Sequence, residues 1–189
     1  MLESNSMALK EWAVVVWAMG KGSQILLLRK GGIADEEGEF RVAAKEFFLY
    51  PTYEHQQATL LQPKFSTMFQ SLVSQASFQP DLCFEHYAAV TDVLPAPDLA
   101  RMKRLRESFV WNDAFLDKRY GYKPDLPMYV LLVRTYSLPK PIRLPEREQY
   151  AGCRSWVELE EELPTRGATP VLAEEEFERQ RENLRRQLA

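Results

Sequence analysis

The chain has 189 residues, 46% of them apolar and 27% charged, and a net charge of −3. Those values fit one folded domain with a sizeable core; they exclude a chain that is disordered throughout and a polycation that coats nucleic acid with its whole surface. The charge is uneven, however: residues 101–150 carry eleven Lys/Arg against six Asp/Glu, while residues 51–100 carry one against five.

The N-terminus "MLESNS" has no basic stretch leading into an apolar one, so it does not read as a secretory signal. No apolar run reaches the roughly 18 residues of a membrane helix. Cys83 and Cys153 are in no CxxC spacing, and two cysteines with two distant histidines make a poor zinc site. The expectation is a cytoplasmic protein with free thiols, no metal and no cofactor. Residues 1–10 are expected as an unstructured extension and residues 11–189 as one domain.

"EWAVVVWAM" (Glu11–Met19) is apolar almost throughout. With "GKG" and "SQILLLRK" behind it, the run fits a hairpin strand or a short buried helix, which periodicity cannot separate. "IADEEGE" is a polar, acidic loop, and Glu46–Tyr50 reads as a strand. Residues 54–76 are expected to be helical, interrupted at Pro63, with Phe65, Met68, Phe69, Leu72 and Val73 on one face. Leu82–Leu94 is strand-like and ends at Pro95. "PDLARMKRLRESF" starts a helix at an acidic residue and places its cations late, where they suit the dipole. Met128–Leu138 is the clearest strand, and "PKPIRLP" after it reads as an extended connector. Ser155 and Glu158 form a capping-box pattern that predicts a helix over "WVELEEEL". The C-terminal stretch "EEEFERQRENLRRQL" predicts a helix, acids first and arginines last. Helices of uneven length between strands, rather than regular βα units, predict a single α+β domain with a mixed, mostly antiparallel sheet and flanking helices.

No nucleophile elbow and no phosphate loop is present. What recurs is basic residues beside aromatic ones. Arg29 and Lys30 end a strand next to glycines, "YPTYEHQ" places Tyr53, His55 and Gln56 at another strand end, and "VWNDAFLDKRYGYKP" adds Trp111, Arg119, Tyr122 and Lys123. Cations contact phosphates, flat rings stack on bases, and His or Gln can read a base edge. The expectation is therefore a nucleic-acid or nucleotide-like partner. Arg29, Lys30, Arg119 and Lys123 would be the anion contacts, Tyr53, Trp111 and Tyr122 the stacking rings, and His55 and Gln56 the hydrogen-bonding groups. Two alternatives stand beside it. One is a metal-dependent hydrolase or nuclease using Glu54, His55, Glu85 and His86, since "EH" occurs twice. The other is a non-catalytic interaction module that docks through "LPKPIRLP". No residue is assigned a catalytic role, and the oligomeric state is left open.

Together "LLLRKGGI", "FLYPTYEHQ", "RYGYKPDLPMYVLLVR", "SWVEL" and "PVL" resemble the bacterial family described as domain of unknown function 1802, over nearly the whole chain. That resemblance implies a soluble bacterial protein and no particular activity. More loosely, "WAMGKGSQILLLRK", "FLYPTYEH" and "YAAVTDVL" are similar to motifs of PUA-like barrels, the ASCH and EVE domains. This second resemblance implies a barrel-like sheet and a cleft for RNA or modified bases beside the first strand, lined by Arg29, Lys30, Tyr53 and His55. The helical stretch 55–80 departs from that pattern.

Overall fold

The computed structural model describes residues 1–30, 33–34, 40–41, 44–54, 56–76, 81–150, 152 and 154–189. His55, Cys153 and the acidic stretch 35–39 lie outside the described residues.

The chain begins with a strand, β1 (Ser4–Trp12), that runs directly into helix α1 (Ala13–Gly20). The expected unstructured extension is thus corrected from residue 4 onward. Its sequence lacks a clear alternation, but it is held between two strands that arrive much later in the chain. α1 resolves the ambiguity of the apolar run in favour of a helix. Ala13, Val14, Val15, Val16, Ala18 and Met19 are all buried, so the helix is apolar around its whole circumference and shows no periodicity. Gly22, at φ 67°, makes the left-handed turn that leads towards β2 (Leu26–Lys30).

β3 (Ile33–Ala34) and β4 (Phe40–Arg41) form a small two-stranded sheet. β5 (Glu46–Thr52) ends at the tyrosine-rich stretch, and α2 (Ser66–Ala76) follows two short 3₁₀ turns. β6 (Asp81–Pro95) and α3 (Leu99–Arg104) come next, with Asp98 capping α3 by accepting from the Arg101 N–H at 2.8 Å. Then come α4 (Asp113–Gly121), β7 (Met128–Pro145), β8 (Trp156–Pro164), β9 (Thr169–Pro170) and α5 (Glu174–Leu188).

The main sheet has seven strands in the order β2-β7-β6-β5-β1-β8, with β9 on β7. β1 and β5 are parallel and the other pairs antiparallel, so the molecule is a mixed α+β domain. Two expectations are corrected here. "WVELEEEL" is strand β8, not a capped helix; Val157, Leu159 and Leu163 are buried while Glu158 and Glu160 are exposed, and that alternation overrides the capping pattern. "PKPIRLP" is no free connector but the continuation of β7, whose residues Ile142–Pro145 pair with β6.

Buried side chains form two clusters. The larger contains Val14, Leu27, Leu131, Trp111 and Phe177 and packs α1, α3, α4 and α5 against one face of the sheet. The smaller contains Phe48, Tyr50, Phe84, Tyr87, Tyr150 and Val157. α5 is thin in apolar residues, as expected, and a charged tie adds to its hold. The Arg181 guanidinium grips buried Asp92 of β6 at 2.5 and 3.1 Å.

The pairing of the two longest strands is interrupted. Phe84 pairs with Ile142 but His86 pairs with Ser137, leaving residues 138–141 of β7 unpaired opposite Glu85. Pro139 and Pro141 lie in that bulge and have no N–H to give to a ladder.

Candidate functional site

At this break the surface opens into a cleft of about 810 Å³. Its walls are the C-terminal half of α1, the end of β5, α2, and the bent parts of β6 and β7. Trp17, Tyr50 and Tyr53 supply rings, Lys10, Lys21 and Arg143 supply cations, and Glu54, Asp81, Glu85 and Glu146 supply carboxylates. The volume falls in the range of roughly 300–1,000 Å³ common for small-molecule sites.

Lys10 and Tyr50 are register partners on β1 and β5, and the Lys10 ammonium lies 5.3 Å from the Tyr50 ring centroid. Burial, followed by Glu146 and Glu54, pushes the Tyr50 hydroxyl up. Tyr53 is 41% exposed. Its hydroxyl is also pushed up, by burial and then by Cys83 and Glu85, so it stays protonated and can donate. The Cys83 thiol is raised by burial against the pull of Arg143, which makes it a poor nucleophile.

His86 is set into the cleft wall against the end of α1. A Cβ on Gly20 would collide with His86 Nε2, so only glycine there leaves room for the ring. Burial, helped by Lys21 and opposed by Glu85, lowers the pKa of His86 and keeps the imidazole neutral. Its Nδ1 is buried and has no hydrogen-bond partner among the described residues. Glu54, Glu85 and His86 of the metal alternative all border this cleft. Among the described residues, however, no three His, Cys, Asp or Glu side chains are grouped closely enough to hold an ion, and His55 lies outside those residues.

Of the residues expected to contact a nucleotide, Tyr53 is the one described in the cleft. Gln56 is turned back, its amide donating to the Thr52 carbonyl at 2.7 Å. The others gather elsewhere. Arg29 Nη1 donates to Glu11 Oε2 at 2.8 Å, and Lys30 Nζ donates to the Arg119 and Tyr120 carbonyls at 3.3 and 2.7 Å. Arg119 is half-buried, and its pKa is lowered by burial and by the charge of Arg29. Tyr122 is 54% exposed, with Lys123 Nζ 5.4 Å from its ring centroid. Trp111 is a correction: it is 2% exposed and its ring stacks on Phe115 at 4.8 Å and 5°, so no base can reach it. Sequence reasoning misses Lys10, Trp17, Lys21 and Tyr50. Lys10 falls in the stretch expected to be unstructured, Lys21 in the expected hairpin turn, and Tyr50 reads only as the end of a strand.

No curated protein matches the chain. Among solved structures, the ASCH protein from Zymomonas mobilis is similar at 12% identity, covering 93% of each chain with a TM-score of 0.46. A single-residue variant of that protein is similar at 11% identity, covering 97% of this chain and 99% of that one, again with a TM-score of 0.46. A likeness this loose assigns no activity. The family comparison is decisive where the structural one is not: its model matches residues 8–183, and the chain belongs to the family described as Domain of unknown function (DUF1802).

Proposed function

We propose that the protein binds a nucleotide-like ligand, either free or as part of a single strand of nucleic acid, in the cleft beside β5. The observation that carries this reading is the mixed lining of one 810 Å³ cleft: rings, cations and carboxylates border the same space. Tyr53 and Trp17 offer flat faces for a base. Lys10 and Lys21 offer contacts for a phosphate. The carboxylates of Glu54, Asp81 and Glu85 repel a bare run of phosphates but accept from base amino groups and sugar hydroxyls. The site therefore suits one nucleotide unit better than a continuous backbone. Among the described residues no helix is long and apolar enough to cross a membrane.

The test is fluorescence titration with single-stranded RNA, single-stranded DNA and mononucleotides at two salt concentrations. Binding should weaken with salt by a slope of about one or two phosphates. Tyr53→Ala should weaken it by roughly 5-fold or more, as loss of a stacked base does, and Lys21→Ala should flatten the salt slope. No binding at low salt, or binding indifferent to both substitutions, overturns the reading.

A further inference from the structure

Away from the cleft, where Lys30 at the end of β2 reaches the last turn of α4, Arg29 is paired with Glu11, and Arg119 lies within electrostatic range of both. Arg29 lies at the end of β2, Arg119 in the last turn of α4, and Glu11 near the end of β1. None of the three borders the cleft. The Arg29 and Glu11 side chains are 13% and 10% exposed. Glu11 Oε2 accepts from Arg29 Nη1 at 2.8 Å, and Glu11 Oε1 accepts from the Trp12 N–H at 3.1 Å, so both carboxylate oxygens are already engaged. Arg29 Nη1 also donates to the Leu28 carbonyl at 3.1 Å. Three donors remain: Arg29 Nε, Arg29 Nη2 and Arg119 Nε are buried and have no acceptor among the described residues. Lys30 adds a third cation, and its partners are the neutral carbonyls of Arg119 and Tyr120.

Among the described residues this makes three cations to one carboxylate, with two of the cations close enough for Arg29 to depress the pKa of Arg119. An arginine cannot escape such a situation by losing its proton at neutral pH. Buried polar groups without partners are rare in folded proteins, and a buried charge is normally paired. We propose that the Arg29–Arg119 pair is a receptor for a phosphate group. A phosphate monoester carries a charge of about −1.5 to −2 near pH 7, which matches the excess here. Its several oxygens can accept from more than one N–H donor, and the guanidinium fork is suited to such an acceptor. Tyr122 is exposed and close enough to Arg119 to act on its charge, so this edge of the pair lies near the surface.

The experiment uses the full chain, with thermal unfolding and calorimetric titration in inorganic phosphate, in sulfate and in chloride at matched ionic strength. Phosphate at a hundredfold excess over its Kd should raise Tm by roughly 5–10 °C. Arg119→Met should weaken phosphate binding at least about tenfold while leaving the phosphate-free Tm unchanged or higher, because it removes a like charge from beside Arg29. A purely structural arginine would give the opposite sign. Arg119→Lys should recover part of the affinity, through charge without the fork. Adenosine 5′-monophosphate and adenosine separate the sources of phosphate. Tighter binding of the monophosphate than of inorganic phosphate, lost in Arg119→Met, assigns the site to a nucleotide phosphate; equal binding assigns it to the free ion. Tyr53→Ala should leave the inorganic-phosphate values alone, so this site and the cleft fail or stand separately. Equal Tm in phosphate and chloride overturns the proposal. So does a phosphate effect that survives Arg119→Met, and so does a fall in phosphate-free Tm in that variant.

Discussion

The cleft beside β5 and the arginine pair beside α4 are built from the same residue types, yet they differ in what those residues are free to do. In the cleft, Tyr53 and Lys21 stand at an exposed wall and the carboxylates border open space. At the arginine pair the cations are drawn inward. Arg29 is held by Glu11, Lys30 closes over the end of α4, and the nearest large rings are consumed by packing, Trp12 against Phe115 at 5.3 Å and Trp111 against Phe115 at 4.8 Å. Basic and aromatic residues that are neighbours in sequence can thus become either a surface or a core. Burial decides which, because a ring stacked inside the domain contributes more to stability than it can to a ligand it never meets.

Trp111→Ala should have the largest effect. A fully buried aromatic replaced by alanine costs about 3–5 kcal/mol, read by urea denaturation. If stability were unchanged and nucleotide binding lost, Trp111 would belong to a site after all and the contrast between the two regions would collapse. Gly20→Val comes next. Its Cβ would collide with His86 Nε2, so the ring must move, at a cost of about 1–3 kcal/mol. Nucleotide binding should fall with it if the position of that ring shapes the cleft.

The third prediction concerns pH. His86 is held neutral by burial and by Lys21, with Glu85 pulling the other way, so its folded pKa lies below the unfolded value near 6.5. Its contribution to stability is complete above that value. It is lost as pH falls from 6.5 through the folded pKa, because the unfolded chain takes up the proton first. Comparison of urea midpoints at about pH 7.5 and about pH 5 should show a drop in the natural protein and a smaller drop in His86→Gln. Equal drops would mean that the ring is solvated rather than set into the wall.

The smallest effects on stability sharpen the comparison most. Tyr53→Ala and Tyr122→Ala both remove exposed rings and should each change stability by less than about 0.5 kcal/mol. Only Tyr53→Ala should weaken nucleotide binding in the cleft. Loss in both would join the two regions into one surface.

Much of the chain is legible from its residues alone. Leu26–Lys30, Glu46–Thr52, the long β6 and the start of β7 announce themselves by apolar and β-branched runs, and the α3 and α5 helices by a capping aspartate and by charge order. The mixed α+β class follows from their sequence order, and the family follows from their motifs. Local pattern cannot decide β1, α1 or β8. β1 is held by β5 and β8, its neighbours far along the chain; α1 hides its period by being apolar around its whole circumference; and β8 carries a helix-capping pattern that its place beside β1 overrides. The site divides in the same way. The tyrosine-rich end of β5 is visible as a place where a strand stops and polar rings are presented. That Lys10 and Lys21 come to it, and that Arg29 and Arg119 come instead to each other, is a matter of which strands and helices pack side by side. Residue type and spacing are local properties of the sequence; convergence and burial are long-range ones, and only the folded chain supplies them.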